Sequence, residues 1–281
     1  MLLPFEQTVI VLEYVLVLAG LGCLVWLFFS AAGRALRARP AVLPGWPVTV
    51  SDFLFLVWLV LTLGFLGQVG LRVTVGPILR RQLQGETLEL ILYGSMFHFG
   101  AILAWLLAHL LQRRHRRIGG ESPPASASVP GRVRDAAFTF LVVVPLIGGV
   151  SFFWENLLEA VKLPTERQEL VDLFAQTKSP ALLGFMVVLA LAIAPVSEEL
   201  VFRAGLFRFL RTRAPRWVAF GASAGLFALL HANWISFLPL FVLGITFAVA
   251  YERTGSIAVP ILAHALFNLH TLLLVLSGVG R

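Results

Sequence analysis

Eight stretches of this chain are apolar for long enough, or nearly so, to cross a bilayer: residues 8–30, 50–70, 88–111, 136–154, 181–201, 217–233, 235–251 and 256–277. A helix needs about 20 consecutive apolar residues to bridge a hydrocarbon core about 30 Å thick. In that medium every backbone N–H and C=O must be satisfied within the segment itself. The pattern therefore predicts an all-α fold, a polytopic transmembrane helix bundle of about eight spans. Composition agrees, since 13% of the residues are charged against about 25% in soluble domains. The sixth and seventh runs are the shortest and meet at Asn233-Trp234.

A net charge of +7 would point to nucleic acid in a soluble protein, but here the arginines lie in short loops between apolar runs. The first loop carries Arg34, Arg37 and Arg39, the third Arg113, Arg114, Arg116, Arg117, Arg132 and Arg134, and the fifth Arg208, Arg211, Arg213 and Arg216. The fourth, 155–180, is acidic, with Glu155, Glu159, Glu166, Glu169 and Asp172. This alternation is the positive-inside pattern; it predicts a lipid-bilayer partner, no nucleic acid, and both termini outside the cytoplasm. Composition points to a prokaryotic cell membrane. Glu6 and the missing basic n-region make residues 1–33 a retained transmembrane helix rather than a cleaved signal. The single cysteine, Cys23, excludes an internal disulfide.

The Gly/Ser/Pro-rich stretch around 119–131 reads as flexible. Three parts follow: an N-terminal three-helix membrane region (1–118), a cytoplasmic linker (119–135) and a C-terminal membrane domain (136–281). In the fourth loop, Leu157, Leu158 and Val161 predict an amphipathic helix. Glu13 and Asp52 lie near span ends and are expected at the interface, as are Trp105, Trp154 and Trp217.

The chemistry concentrates after residue 180. Pro195-Val-Ser-Glu-Glu-Leu-Val-Phe-Arg203 follows an uncharged run and sets three charges at bilayer depth, where they are costly and tend to be functional. Glu199 and Arg203, four apart, share a helix face and can pair. Glu198 points about 100° away, and an acid left unpaired there is a candidate base. His231, His264 and Asn268 are the other unusual polar residues, the last two four apart on one face. Counted from the basic helix ends at ~1.5 Å per residue, Glu198, His231 and His264 lie ~20, ~22 and ~12 Å deep, so one cavity can hold them.

Two chemistries fit. In one, Glu198 takes a proton from water with help from His231, and His264 and Asn268 donate to the oxyanion. In the other, His231, His264 and Glu198 bind Zn²⁺, which activates the water. No His-Glu-x-x-His pair is present, so a zincin-type site is unavailable.

Glu-Glu-x-x-x-Arg (198–203), Phe-x-x-x-His (227–231) and His-x-x-x-Asn (264–268), in this order on successive helices, resemble the CPBP or Abi family. These are the type II CAAX prenyl endopeptidases and bacteriocin-processing intramembrane proteases. The motif core covers about 180–275 and does not extend into 1–130. The resemblance implies a multi-helix CAAX-protease-like core and endoproteolysis of a membrane-associated protein or peptide. It implies Glu198 as base, His231 assisting, His264 and Asn268 at the oxyanion, and Glu199 and Arg203 as support. The family is commonly labelled as metalloproteases, and a metal-free glutamate mechanism is also argued for it.

Other readings are blander. His98 and His109, on one face of the third span without an acid partner, read as packing residues. His270 is six residues from His264 and faces elsewhere. A non-catalytic immunity or scaffold protein, or a small-solute transporter, would use the same kind of bundle, but no internal or inverted repeat is evident.

Overall fold

The computed structural model describes residues 4–74, 86–119, 129–165 and 180–279, with Pro77 and Phe174 besides. The order is α1 (Pro4–Phe29), α2 (Ala31–Ala38), α3 (Val50–Thr74), α4 (Glu86–Gly119), α5 (Val129–Ala160), α6 (Pro180–Arg213), α7 (Arg216–Leu229), α8 (Trp234–Thr254) and α9 (Ala258–Ser277), with no strand among the described residues. The chain is an all-helical, polytopic membrane protein.

Among the described residues, seven helices are long and apolar enough to cross a membrane: α1, α3, Gly94–Leu111 within α4, α5, α6, α8 and α9. The sixth apolar run differs from expectation. It forms α7, of 14 residues, only about 21 Å long. Its end is local chemistry. The N–H groups of His231 and Ala232 turn back to the carbonyls of Ala228 and Leu229, and Ala232 takes a left-handed φ of 48°. Asn233 Oδ1 then accepts from Ser236 N at 3.0 Å, capping α8. A short polar side chain that satisfies an orphan N–H is stronger punctuation than hydropathy.

Three other expectations need adjustment. Residues 129–135 of the assigned linker are already helical, since α5 begins at Val129; 120–128 lie outside the described residues. In the fourth loop Leu158 is buried, but Leu157 and Val161 are exposed, so the expected apolar face does not dock as one; Glu166, Glu169 and Asp172 are outside the described residues. Trp105 stacks on Trp46 with ring centroids 5.8 Å apart, a packing role. Trp154 Nε1–H donates to the Trp234 carbonyl at 2.7 Å, fastening the end of α5 to the start of α8. Asp52 does sit at a helix end: its N–H donates to Thr49 Oγ1 and its Oδ2 accepts from Thr49, a reciprocal cap on α3.

The first and fifth basic loops meet at the end of α8 and do more than orient the chain. Glu252, 1% exposed at the end of α8, is clamped by Arg211 Nε at 2.5 Å and Arg216 Nη2 at 2.5 Å. Its carbonyl accepts from Val42 and Leu43 N–H, drawing the loop after α2 beneath α8. Elsewhere the helices meet through glycines. A Cβ on Gly100 of α4 would lie 2.4 Å from Gly64 N of α3, and one on Gly20 of α1 would lie 2.1 Å from the Leu141 carbonyl of α5. These close approaches are how small residues pack helices in lipid. Val143, Phe247, Val259 and Ala263 form a core shared by α5, α8 and α9.

Candidate active site

Helix α6 is not a plain α-helix. Leu189–Ile193 and Glu199–Phe207 are wound with i→i+5 bonds, separated by Ala194–Glu198. Such π segments are uncommon and concentrate at functional sites. The first follows from Pro195. The Ala194 N–H bonds to Leu189 O, five residues back, and the next N–H in line is missing because residue 195 is proline. The Ala190 carbonyl is therefore left without a helix donor, and Asn268 Nδ2–H of α9 donates to it at 2.8 Å. An amide has two N–H groups; this contact uses one and fixes the other.

The second π segment carries the paired charges. Arg203 Nη1 lies 3.0 Å from Glu199 Oε1, with both side chains essentially inaccessible (1% and 0%). The guanidinium carbon sits 4.3 Å from the Phe227 ring centroid and 5.6 Å from that of Phe247, an aromatic seat for a cation. No nitrogen of the guanidinium, Nη1 included, makes a hydrogen bond among the described residues, and neither does Glu199 Oε2, so the two meet as charges. Glu199 Oε1 also accepts from His264 Nδ1–H at 3.0 Å. The opposite ring nitrogen, Nε2, then faces Glu198 Oε2 at 3.7 Å. The two neighbouring acids thus divide: Glu199 is consumed by Arg203 and His264, while Glu198 keeps an accessible side chain (16%).

The Phe227–His231 spacing has a physical meaning. His231 Nδ1–H donates to the Phe227 carbonyl at 2.8 Å, so in the neutral ring Nε2 is a free acceptor. The Phe227 ring stands edge-on to His231 at 4.8 Å and to His264 at 6.2 Å. One phenylalanine seats Arg203 and both histidines.

The structure adds His98 of α4, which sequence reasoning assigned to packing. Its Nδ1 is 2.6 Å from Ser197 Oγ. An intramembrane histidine was the available signal; its partner, 99 residues away, was not. His270 lies outside the site, as expected, but pairs with Glu13 of α1. Glu13 is therefore engaged between helices, not free at the interface. Among the described residues no three His, Cys, Asp or Glu side chains are gathered as a metal site requires. His231, His264 and Glu198 do not form such a group in this arrangement.

The Asn268 tether makes a prediction. In Pro195→Ala the new N–H competes for Ala190 O, freeing Asn268 to wander. On the reading of Asn268 as an oxyanion donor, a group whose loss costs about 100- to 1000-fold in kcat, Asn268→Ala is expected to lose the full amount and Pro195→Ala up to about tenfold, measured as steady-state peptide cleavage.

Residues 180–270 match the family model described as type II CAAX prenyl endopeptidase Rce1-like. The match bears out the resemblance drawn from the three motifs and encloses Glu198, Glu199, Arg203, His231, His264 and Asn268, but not His98. The "Putative membrane peptidase YdiL" of Bacillus subtilis is 32% identical over 94 residues, 34% of this chain and 38% of that protein. The "Uncharacterized 24.3 kDa protein" of Escherichia coli is 29% identical over 184 residues, 62% of this chain and 80% of that one. The "UPF0177 protein YbdI" of Lactococcus lactis is 27% identical over 142 residues, 48% and 72% of the two chains. The alignment thus covers under two fifths of the first relative's length and most of the other two. No solved structure matches. At the level of class, the C-terminal helices are similar to a membrane protease.

Proposed function

We propose that this membrane protein is an endopeptidase that hydrolyses a peptide bond of a membrane-associated protein or peptide within or near the cytoplasmic leaflet. The observation that carries the reading is the division between the two acids. Glu199 is locked to Arg203 and His264, and Glu198 remains accessible, 3.7 Å from His264 Nε2. Glu198 takes a proton from water, with His231 Nε2 as the accessory acceptor. The hydroxide forms the C–O bond, and the carbonyl π pair moves onto oxygen. His264, protonated at Nε2, and the second N–H of Asn268 donate to that oxyanion. On collapse the C–N bond breaks and the proton held by Glu198 passes to the leaving amine, giving an amine and a carboxylic acid, which loses its remaining O–H proton to water. The basic face formed by the loop after α2, the end of α6 and the end of α8 lies on the cytoplasmic side by the positive-inside rule; the short α7 still carries the chain back to the far end of α5, where Trp154 meets Trp234, which leaves both termini outside, in a prokaryotic cell membrane.

The test is cleavage of a quenched peptide by detergent-solubilised protein, wild type beside His231→Ala, with metal content read on the same samples. Metal-free protein that cleaves, and loses about 100-fold or more with His231→Ala, supports the assignment. Stoichiometric zinc that leaves with His231, together with activity abolished by a chelator, overturns it in favour of a metalloprotease.

A further inference from the structure

Helix α4 brings to the site a residue that neither the matched segment nor the catalytic steps above contain. His98 Nδ1 is 2.6 Å from Ser197 Oγ, and Ser197 Oγ is 2.9 Å from the Ala194 carbonyl. A carbonyl only accepts, so the single hydroxyl proton goes to Ala194 and Ser197 accepts from His98 Nδ1–H. Ser197 is 1% exposed. The two bonds brace the short turn Ala194–Glu198, the joint between the two π segments. Its last residue is Glu198. The seam is tight: a Cβ on Gly205 of α6 would meet the Trp105 ring of α4 at 3.3 Å, and Val201 packs on Ala101 and Ala104.

We propose that His98 is a positioning residue for Glu198: through Ser197 it holds the Ala194–Glu198 turn so that the Glu198 carboxylate faces His264. The inference rests on the proteolytic reading for its kinetic consequence, and it makes the N-terminal helices part of the site. Without the imidazole, a buried hydroxyl loses its donor and the joint loses its tether to α4. Misplacement of a reacting group by about 1 Å costs about 100-fold, and the loss falls on kcat rather than on substrate binding.

The test uses the full chain with His98→Ala, His98→Asn and Ser197→Ala. An asparagine amide N–H stands in for Nδ1–H but supplies no titrating ring nitrogen. His98→Ala is expected to lower kcat about 10- to 100-fold with KM nearly unchanged. Ser197→Ala should do the same, and the double variant should be no worse than either, because both act through one path. His98→Asn should recover most of kcat, with the pH profile unchanged in shape. Amide exchange over 194–199, read by mass spectrometry, should rise in His98→Ala and Ser197→Ala and fall back in His98→Asn. That readout needs no substrate: a protein that cleaves nothing yet shows this exchange pattern keeps the tether and loses the proteolytic reading. Wild-type kcat and exchange in His98→Ala overturn the proposal. So does a His98→Asn variant as impaired as His98→Ala with one limb of the pH profile gone, which would assign the ring to proton transfer.

Discussion

Glu198→Gln is expected to lower kcat by about 100- to 10,000-fold, the range that a positioned acid–base group contributes, while leaving expression and thermal unfolding in detergent close to wild type. The amide keeps the shape of the carboxylate and can still meet His264, but it cannot take a proton from water. The side chain is 16% accessible and, among the described residues, makes no ion pair other than its 3.7 Å approach to His264, so little of the fold depends on its charge. The same variant separates catalysis from other uses of the bundle. A scaffold, immunity factor or transporter would keep its function with a glutamine there. Cleavage that survives Glu198→Gln at more than about a tenth of the wild-type rate would remove Glu198 from the chemistry.

Arg203→Met is expected to have the largest effect on stability. It leaves Glu199, 0% exposed, with only His264 as partner. Removing one member of a buried pair costs about 3–5 kcal/mol, because the remaining charge is uncompensated. Thermal unfolding should drop sharply, or folded protein should fail to accumulate. Adding Glu199→Gln removes that stranded charge, and the double variant should recover much of the loss without recovering activity, since the charge that holds His264 Nδ1 is gone. If Arg203→Met unfolds like wild type, the pair is not what holds α6 against α7.

What could be read from the chain alone was whatever depends on neighbours along a helix. Glu199 and Arg203 sit four apart and pair as expected; His264 and Asn268 share a face of α9. The rest needed distance across the fold. Ala190 receives Asn268 only because Pro195 and a π turn strip its carbonyl of a donor, and hydropathy carries no trace of winding. Arg211 and Arg216 read as loop charges because their partner, Glu252, lies 41 and 36 residues on. The sixth apolar run ended early because Asn233 caps the next helix, a local signal that the length of the run concealed. His98 read as packing for want of an acid in its own helix, since its neighbour is a serine on another.

The Glu13–His270 pair joins the first and last spans, 257 residues apart. At about 5–20 residues per second, ribosomal synthesis separates the two by roughly 13 to 50 s. For that interval α1 must reside in lipid with a carboxyl group and no histidine. An acid near the middle of a span costs about 2.5–3.5 kcal/mol on insertion, which the leucines, valines and aromatic residues of α1 have to offset. The arrival of α9 ends the wait, so α1 acquires its partner only after α2 to α8 have been made.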